Sequence, residues 1–163
     1  MSKHSQISEK IYTTDGLSNQ LKRWKEAGKK VVFTNGCFDI LHLGHVDYLA
    51  KAADLGDILV LGLNTDASVS RLKGPHRPIQ DEASRLRIIA SLAFVDAVIL
   101  FDEPTPYALI DLVQPDVLVK GSDYKPEDIV GYDIVTKKNG KIITIDFIQG
   151  YSTSAIEKKI KNS

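Results

Sequence analysis

Five short apolar runs, separated by stretches of helical periodicity, leave this chain few architectures to fold into. The runs span residues 31–34, 58–63, 97–101, 116–119 and 141–147. They are rich in Val, Ile, Leu and Phe and read as strands, the first two buried on both faces. Between them lie apolar residues at helical spacing. Leu17, Leu21 and Trp24 mark a helix over 16–27 that Gly28 ends. Further helices are expected over 44–55, 66–72, from an Asp81 cap to about Leu92, from a Thr105 cap with Pro106 at the first helical position to Val113, over 130–138, and from residues 152–154 onward. Alternating strands and helices build a parallel sheet covered on both faces. The expected fold class is therefore α/β, a single Rossmann-like doubly wound domain with a five-stranded parallel sheet. Ligands of such sheets bind beyond the carboxyl ends of the strands.

A chain of 163 residues suits one domain. Residues 1–10 read as a loose tail and 11–163 as the domain, because no repeat, linker or low-complexity stretch divides them. Lys and Arg total 21, as do Asp and Glu, so the net charge is zero. That argues against a nucleic-acid partner, which requires excess positive charge. Cys37 is the single cysteine, so no intrachain disulfide forms. No apolar stretch is long enough to span a bilayer, and residues 1–10 carry no signal-peptide pattern. The expectation is a cytoplasmic protein without membrane contact.

Four loops that follow strands carry candidate chemistry. The first runs from Asn35 through Gly36, Cys37, Phe38 and Asp39 to His42-Leu43-Gly44-His45. Its histidines sit where a helix begins, where free N–H groups and the macrodipole favour an anion. Two imidazoles there can donate to phosphate oxygens. Zinc is a weaker reading, since two histidines are too few ligands. The second loop is Gly150-Tyr151-Ser152-Thr153-Ser154, after the fifth strand. Ser154 and Glu157 have capping-box spacing, and the three hydroxyls also make a phosphate cradle. The third loop is basic and holds Lys73 and Arg77, placed to bind phosphate groups. Arg85, on the following helix, is a further candidate, and His76 is left as exposed loop. The fourth is Lys120-Gly121-Ser122-Asp123-Tyr124. A lysine ending a buried strand must reach a solvated cleft or meet an anion.

The stretch from Gly36 to His45 resembles the signature of the cytidylyltransferase-like nucleotidyltransferases, whose mark is His-x-Gly-His. Residues 35–39, 64–69, 77–78, 119–127 and 150–154 extend the likeness over about residues 10–160. Together they resemble the adenylyltransferases of bacterial ADP-heptose synthesis, in the form without a fused sugar kinase. Ser154 stands where that family often has Thr.

That resemblance implies a reaction and its components. AMP would pass from ATP to D-glycero-D-manno-heptose 1-phosphate, giving pyrophosphate and an ADP-heptose for lipopolysaccharide core or other heptose glycans. His42, His45 and Lys73 would be catalytic. Gly36, Cys37, Phe38, Asp39, Gly44, Lys120, Gly121, Gly150, Ser152, Thr153 and Ser154 would hold ATP, and Arg77 and Arg85 the sugar phosphate. Mg²⁺ would accompany ATP, with no metal ligand set assigned on the protein; Asp39 could meet the metal shell or a ribose. A homo-oligomer, dimer or tetramer, is implied. Two rivals remain: a cytidylyltransferase acting on glycerol 3-phosphate or a similar small phosphate, and a non-catalytic nucleotide-binding module.

Overall fold

The parallel sheet forms in the order β3-β2-β1-β4-β5. The structure, a computed structural model, describes residues 2–163. Its strands are β1 (Val31–Gly36), β2 (Ile58–Asn64), β3 (Ala97–Phe101), β4 (Val117–Gly121) and β5 (Lys141–Ile145). Helices α1 (Lys3–Ser8) and α2 (Thr14–Glu26) precede β1. The others are α3 (Leu43–Ala53), α4 (Asp66–Lys73), α5 (Glu82–Ala90), α6 (Tyr107–Val113), α7 (Tyr132–Lys137) and α8 (Thr153–Lys161). Successive side chains of a strand point to opposite faces, and both faces here are covered. Val31, Phe33, Ile58 and Val60 pack with Leu17 and Leu21 of α2 and Ile110 and Val113 of α6. Val32, Leu59, Leu61 and Leu63 pack with Tyr48 and Leu49 of α3 and Ile89 of α5. All seven residues of β2 are buried, which explains its unbroken apolar run.

Three aspartates set the strand starts. Asp57 accepts from the Lys30 amide, Asp96 from Leu59 and Asp116 from Val31, each at 2.8 Å. Each is the residue just before a strand, so the turn that begins one strand also satisfies an amide of the next segment.

Several expected boundaries move. Residues 3–8 are not a loose tail. Ser2 caps α1, and Ile7 and Ile11 pack on the core. The segment at Ile11 then bridges Val98, with hydrogen bonds from the Val98 amide to Lys10 and from the Tyr12 amide to Val98. It shields the outer edge of β3, which would otherwise be open. Met1 lies outside the described residues. Thr105 does not cap α6: Pro106 holds the cap position and makes no side-chain cap bond. Ser152, not Ser154, caps α8, accepting from the Ala155 amide at 3.0 Å. β5 stops at Ile145, which leaves Phe147 in the loop.

The strand order reverses direction at β1. From there β2 and β3 run to one side, β4 and β5 to the other. The gap between the carboxyl ends of β1 and β4 is thus the place a ligand finds least obstructed. Leu61 lies fully buried at the middle of this sheet. Leu61→Ala should cost about 3 kcal/mol of folding stability, read as a lower denaturation midpoint with unchanged slope in urea.

Candidate active site

At that gap the loop after β1 folds back on itself. Phe38 and Ile40 have φ of 47° and 53°, a left-handed conformation that L side chains adopt only when their surroundings hold them there. Asp39, between them, does the holding. It is 2% exposed. Its carboxylate accepts from the Ile79 amide at 2.7 Å, the Gln80 amide at 2.9 Å and Arg77 Nε at 2.9 Å. Gln80 Oε1 in turn accepts from the Ile40 amide at 3.1 Å. Thr153 donates its hydroxyl to the Asp39 carbonyl at 2.5 Å, and Arg77 Nη1 lies 3.8 Å from Glu157. One carboxylate and its backbone therefore tie together the loop after β1, the loop before α5 and the start of α8. Burial pushes the Asp39 carboxyl up. The Gln80 and Ile79 amides and the Arg77 guanidinium outweigh that and hold it below its ordinary value.

His42 caps α3, and His45 lies in its first turn. Their rings stack with centroids 3.7 Å apart and 21° between planes. Gly44 makes this possible, since a Cβ there would come within 3.1 Å of the His42 ring. His42 Nδ1 accepts from the His45 amide at 3.4 Å, so its proton belongs on Nε2. Phe38 meets His45 edge to face at 5.3 Å. Burial pushes both imidazole pKa values down, and His42 and Lys73 push His45 further, to about 4. Both rings are neutral donors near pH 7, each able to offer one N–H. His45 Nδ1 and Arg77 Nη2 are buried without a hydrogen-bond partner among the described residues.

A cleft runs over these groups. Its smaller lobe, about 350 Å³, is lined by Gly36, Cys37, Phe38, Asp39, His45, Lys120 and Gly121, with Asn35, Tyr48, Asp123, Tyr124 and Phe147. Its larger lobe, about 760 Å³, is lined by His42, Arg77, Tyr151, Ser152 and Ser154. His45, Lys73, Asp123, Phe147 and Thr153 line both. Lys120 reaches Asn35 Oδ1, and burial pushes its pKa down to about 8. Burial also raises the Cys37 thiol, whose Sγ lies 3.8 Å from Asn64 Oδ1. Gly150, at φ 85° with open space around it, turns the chain into α8.

Three expectations fail here. Arg85 cannot bind a sugar phosphate. It is fully buried and donates to the carbonyls of Gln80, Cys37 and Asn64 and to Asp66 at 2.7–3.0 Å. A guanidinium with that many fixed acceptors cross-links the ends of β1 and β2 beneath the cleft. Asp39 is not free for a metal shell or a ribose, because both its oxygens are engaged. Glu157 does not reach back to the α8 cap either; it pairs with Lys161 at 2.8 Å. The sequence assigns no role to Asn35, Tyr48 or Phe147, which the fold brings to the cleft. A polar or aromatic residue at a strand's carboxyl end is the signal that marks Asn35 and Phe147; Tyr48, inside α3, carries no such signal.

The cytidylyltransferase-like family model matches residues 33–159, most of the chain and all of this cleft. The chain belongs to the cytidylyltransferase-like family. It is 54% identical over 157 residues to a protein of Geobacter metallireducens described as bifunctional protein HldE, covering 96% of this chain and 32% of that one. The HldE of Wolinella succinogenes is 49% identical over 162 residues, covering 99% of this chain and 33% of that one. The chain thus spans about a third of the length of these relatives. A crystal structure of the lipopolysaccharide core biosynthesis protein of Thermoplasma volcanium superposes with TM-score 0.62 at 35% identity, covering 75% of this chain and 100% of that one. Pantoate–beta-alanine ligase from Francisella tularensis shares the fold at TM-score 0.55 and 17% identity, covering 93% of this chain and 76% of that one. No helix among the described residues is long and apolar enough to cross a membrane.

The titrations give two tests. Folded His45 refuses a proton that the unfolded chain takes up between pH 6.5 and about 4, so stability should fall as pH drops through that window. His45→Gln should flatten this slope in pH-dependent urea titrations. Asp39→Asn should lower stability at pH 7 by about 3 kcal/mol, since it leaves Arg77 without its buried partner. It should also remove the wild-type loss of stability that begins as pH falls through the ordinary carboxylate value and is complete below the lowered Asp39 pKa.

Proposed function

We propose that this chain transfers AMP from ATP to D-glycero-D-manno-heptose 1-phosphate, releasing pyrophosphate. The observation that carries the reading is the pair of neutral, stacked imidazoles at the start of α3, facing a cleft with Lys73, Arg77 and three hydroxyls. HldE-named relatives near 50% identity over almost the whole chain support the choice of heptose phosphate. In this reading a phosphate oxygen of the sugar attacks the α-phosphorus of ATP. The bond from that phosphorus to the oxygen bridging to the β-phosphorus breaks, and pyrophosphate leaves. The nucleophile is already an anion, so no protein base is needed. Catalysis is then positioning plus stabilisation of charge on the phosphoryl oxygens. His42 Nε2–H and His45 donate to those oxygens. Lys73, Ser152 and Ser154 orient the β- and γ-phosphates, with Thr153, whose hydroxyl is held by the Asp39 carbonyl, fixing the loop between them. Arg77 is the candidate for the acceptor phosphate.

Mg²⁺ enters this reading only as the companion of ATP. Among the described residues no group of three His, Cys, Asp or Glu is placed to hold a metal, and Asp39 is committed elsewhere. Magnesium bound with ATP would take its ligands mainly from phosphates and water.

His45→Ala should reduce kcat by about 100- to 1,000-fold, the scale of losing one well-placed donor of about 3 kcal/mol. Pyrophosphate release measured with ATP and the heptose 1-phosphate, beside CTP and glycerol 3-phosphate, decides between the sugar reading and its cytidylyl rival. Turnover with the second pair alone would sink the first. Unchanged turnover in the alanine variant would remove the catalytic role of the histidine.

A further inference from the structure

Phe147 lies two residues beyond β5 and is 46% exposed, yet it is not a loosely placed side chain. Its ring stacks on Tyr48 with centroids 5.1 Å apart and 25° between planes. Tyr48 is itself buried. Its hydroxyl pairs with Thr34 Oγ1 at 2.9 Å, and Thr34 donates to the Val119 carbonyl at 3.0 Å. Thr34 has one proton to give, so Tyr48 is the donor in their pair. The exposed ring is thus backed by a chain of contacts rooted in β1 and β4. Gly121 completes the seat: a Cβ there would stand 2.3 Å from the Phe147 ring. The glycine at the end of β4 is required for space.

The fold therefore holds an apolar, flat side chain at the wall of a cleft whose other walls carry Lys73, Lys120, His45 and Asp123. A flat aromatic ligand gives the exposure a use, because an aromatic face stacks favourably on another π face. Ser152, Ser154 and Arg77 line the larger lobe alone, Phe38, Tyr124 and Lys120 the smaller alone, and Phe147 borders both. The smaller, at about 350 Å³, matches the size of small-ligand cavities.

We propose that Phe147, seated on Tyr48 and Gly121, is the stacking platform for the base of the bound nucleotide. This rests on the nucleotidyl-transfer reading above and adds to it the residue that holds the base. Stacking contributes to affinity for any base, so Phe147 supplies binding while the choice among bases falls to hydrogen bonds at the base edge.

The test compares two ligands that differ by the nucleoside: α,β-methylene ATP and inorganic tripolyphosphate, titrated calorimetrically into the full chain. Phe147→Ala should weaken the ATP analogue about tenfold and leave tripolyphosphate within about twofold of wild type. Phe147→Trp should restore analogue binding, and Gly121→Ala, by displacing the ring, should reproduce the base-specific loss. Equal weakening of both ligands in Phe147→Ala, or an unchanged analogue affinity, would overturn the platform while leaving the nucleotide reading intact. A wild-type chain that binds neither ligand would overturn both.

Discussion

The buried carboxylate of Asp39 organises the site. Two residues flanking it are in left-handed conformations, and such a loop persists only where its neighbours over-determine it. Three donors converge on Asp39 from residues 77–80, and its own carbonyl takes the Thr153 hydroxyl. The loop after β1 is thereby fixed against two segments remote in sequence. Everything that follows along the chain, from the His42 cap to the stacked rings, inherits its position from that loop. Arg85 acts in the same way beneath the cleft, binding the backbone ends of β1 and β2 together.

Electrostatics in the cleft follow from burial as much as from charge. The chain has no net charge, but Lys73, Arg77 and Lys120 all line its walls. Burial holds Lys120 near 8 and His45 near 4. At pH 7 Lys120 therefore keeps most of its charge, while His45 is neutral. A bound polyanion would raise both values, since each phosphate favours the protonated form of its neighbours. Neutral imidazoles suit a reaction whose nucleophile is already charged: they donate hydrogen bonds and hold no proton that must be shed first.

Much of the architecture was legible in the sequence. The strand runs at 58–63 and 97–101 sit within one residue of the observed strands, because a strand buried on both faces must be apolar throughout. Asp81 was visible as the cap of α5 through its side-chain chemistry, and Asp66 does open α4, although Thr65 makes that cap. The His-x-Gly-His loop was legible for a related reason, as glycine between two histidines at a helix start has little other use. Boundaries failed where tertiary contacts overrode local signals. Residues 3–8 look polar and loose, yet Ile7 and Ile11 anchor them to the core. Thr105-Pro106 has the pattern of a cap, but the chain enters α6 one residue later. Arg85 looked like a ligand for phosphate because sequence shows charge and hides burial.

The sequence by itself determined the layered α/β fold, the loops that come to line the cleft and the residue types in them, since these depend on local periodicity and on spacing along the chain. Tertiary structure alone decided which charges are free. Asp39 and Arg85 are consumed in holding the loops, whereas Lys73 and the two histidines are left facing the cleft. It also decided that Phe147, written as the end of a strand, becomes an exposed ring backed by Tyr48. Those outcomes turn on packing between segments far apart along the chain, which no local pattern records.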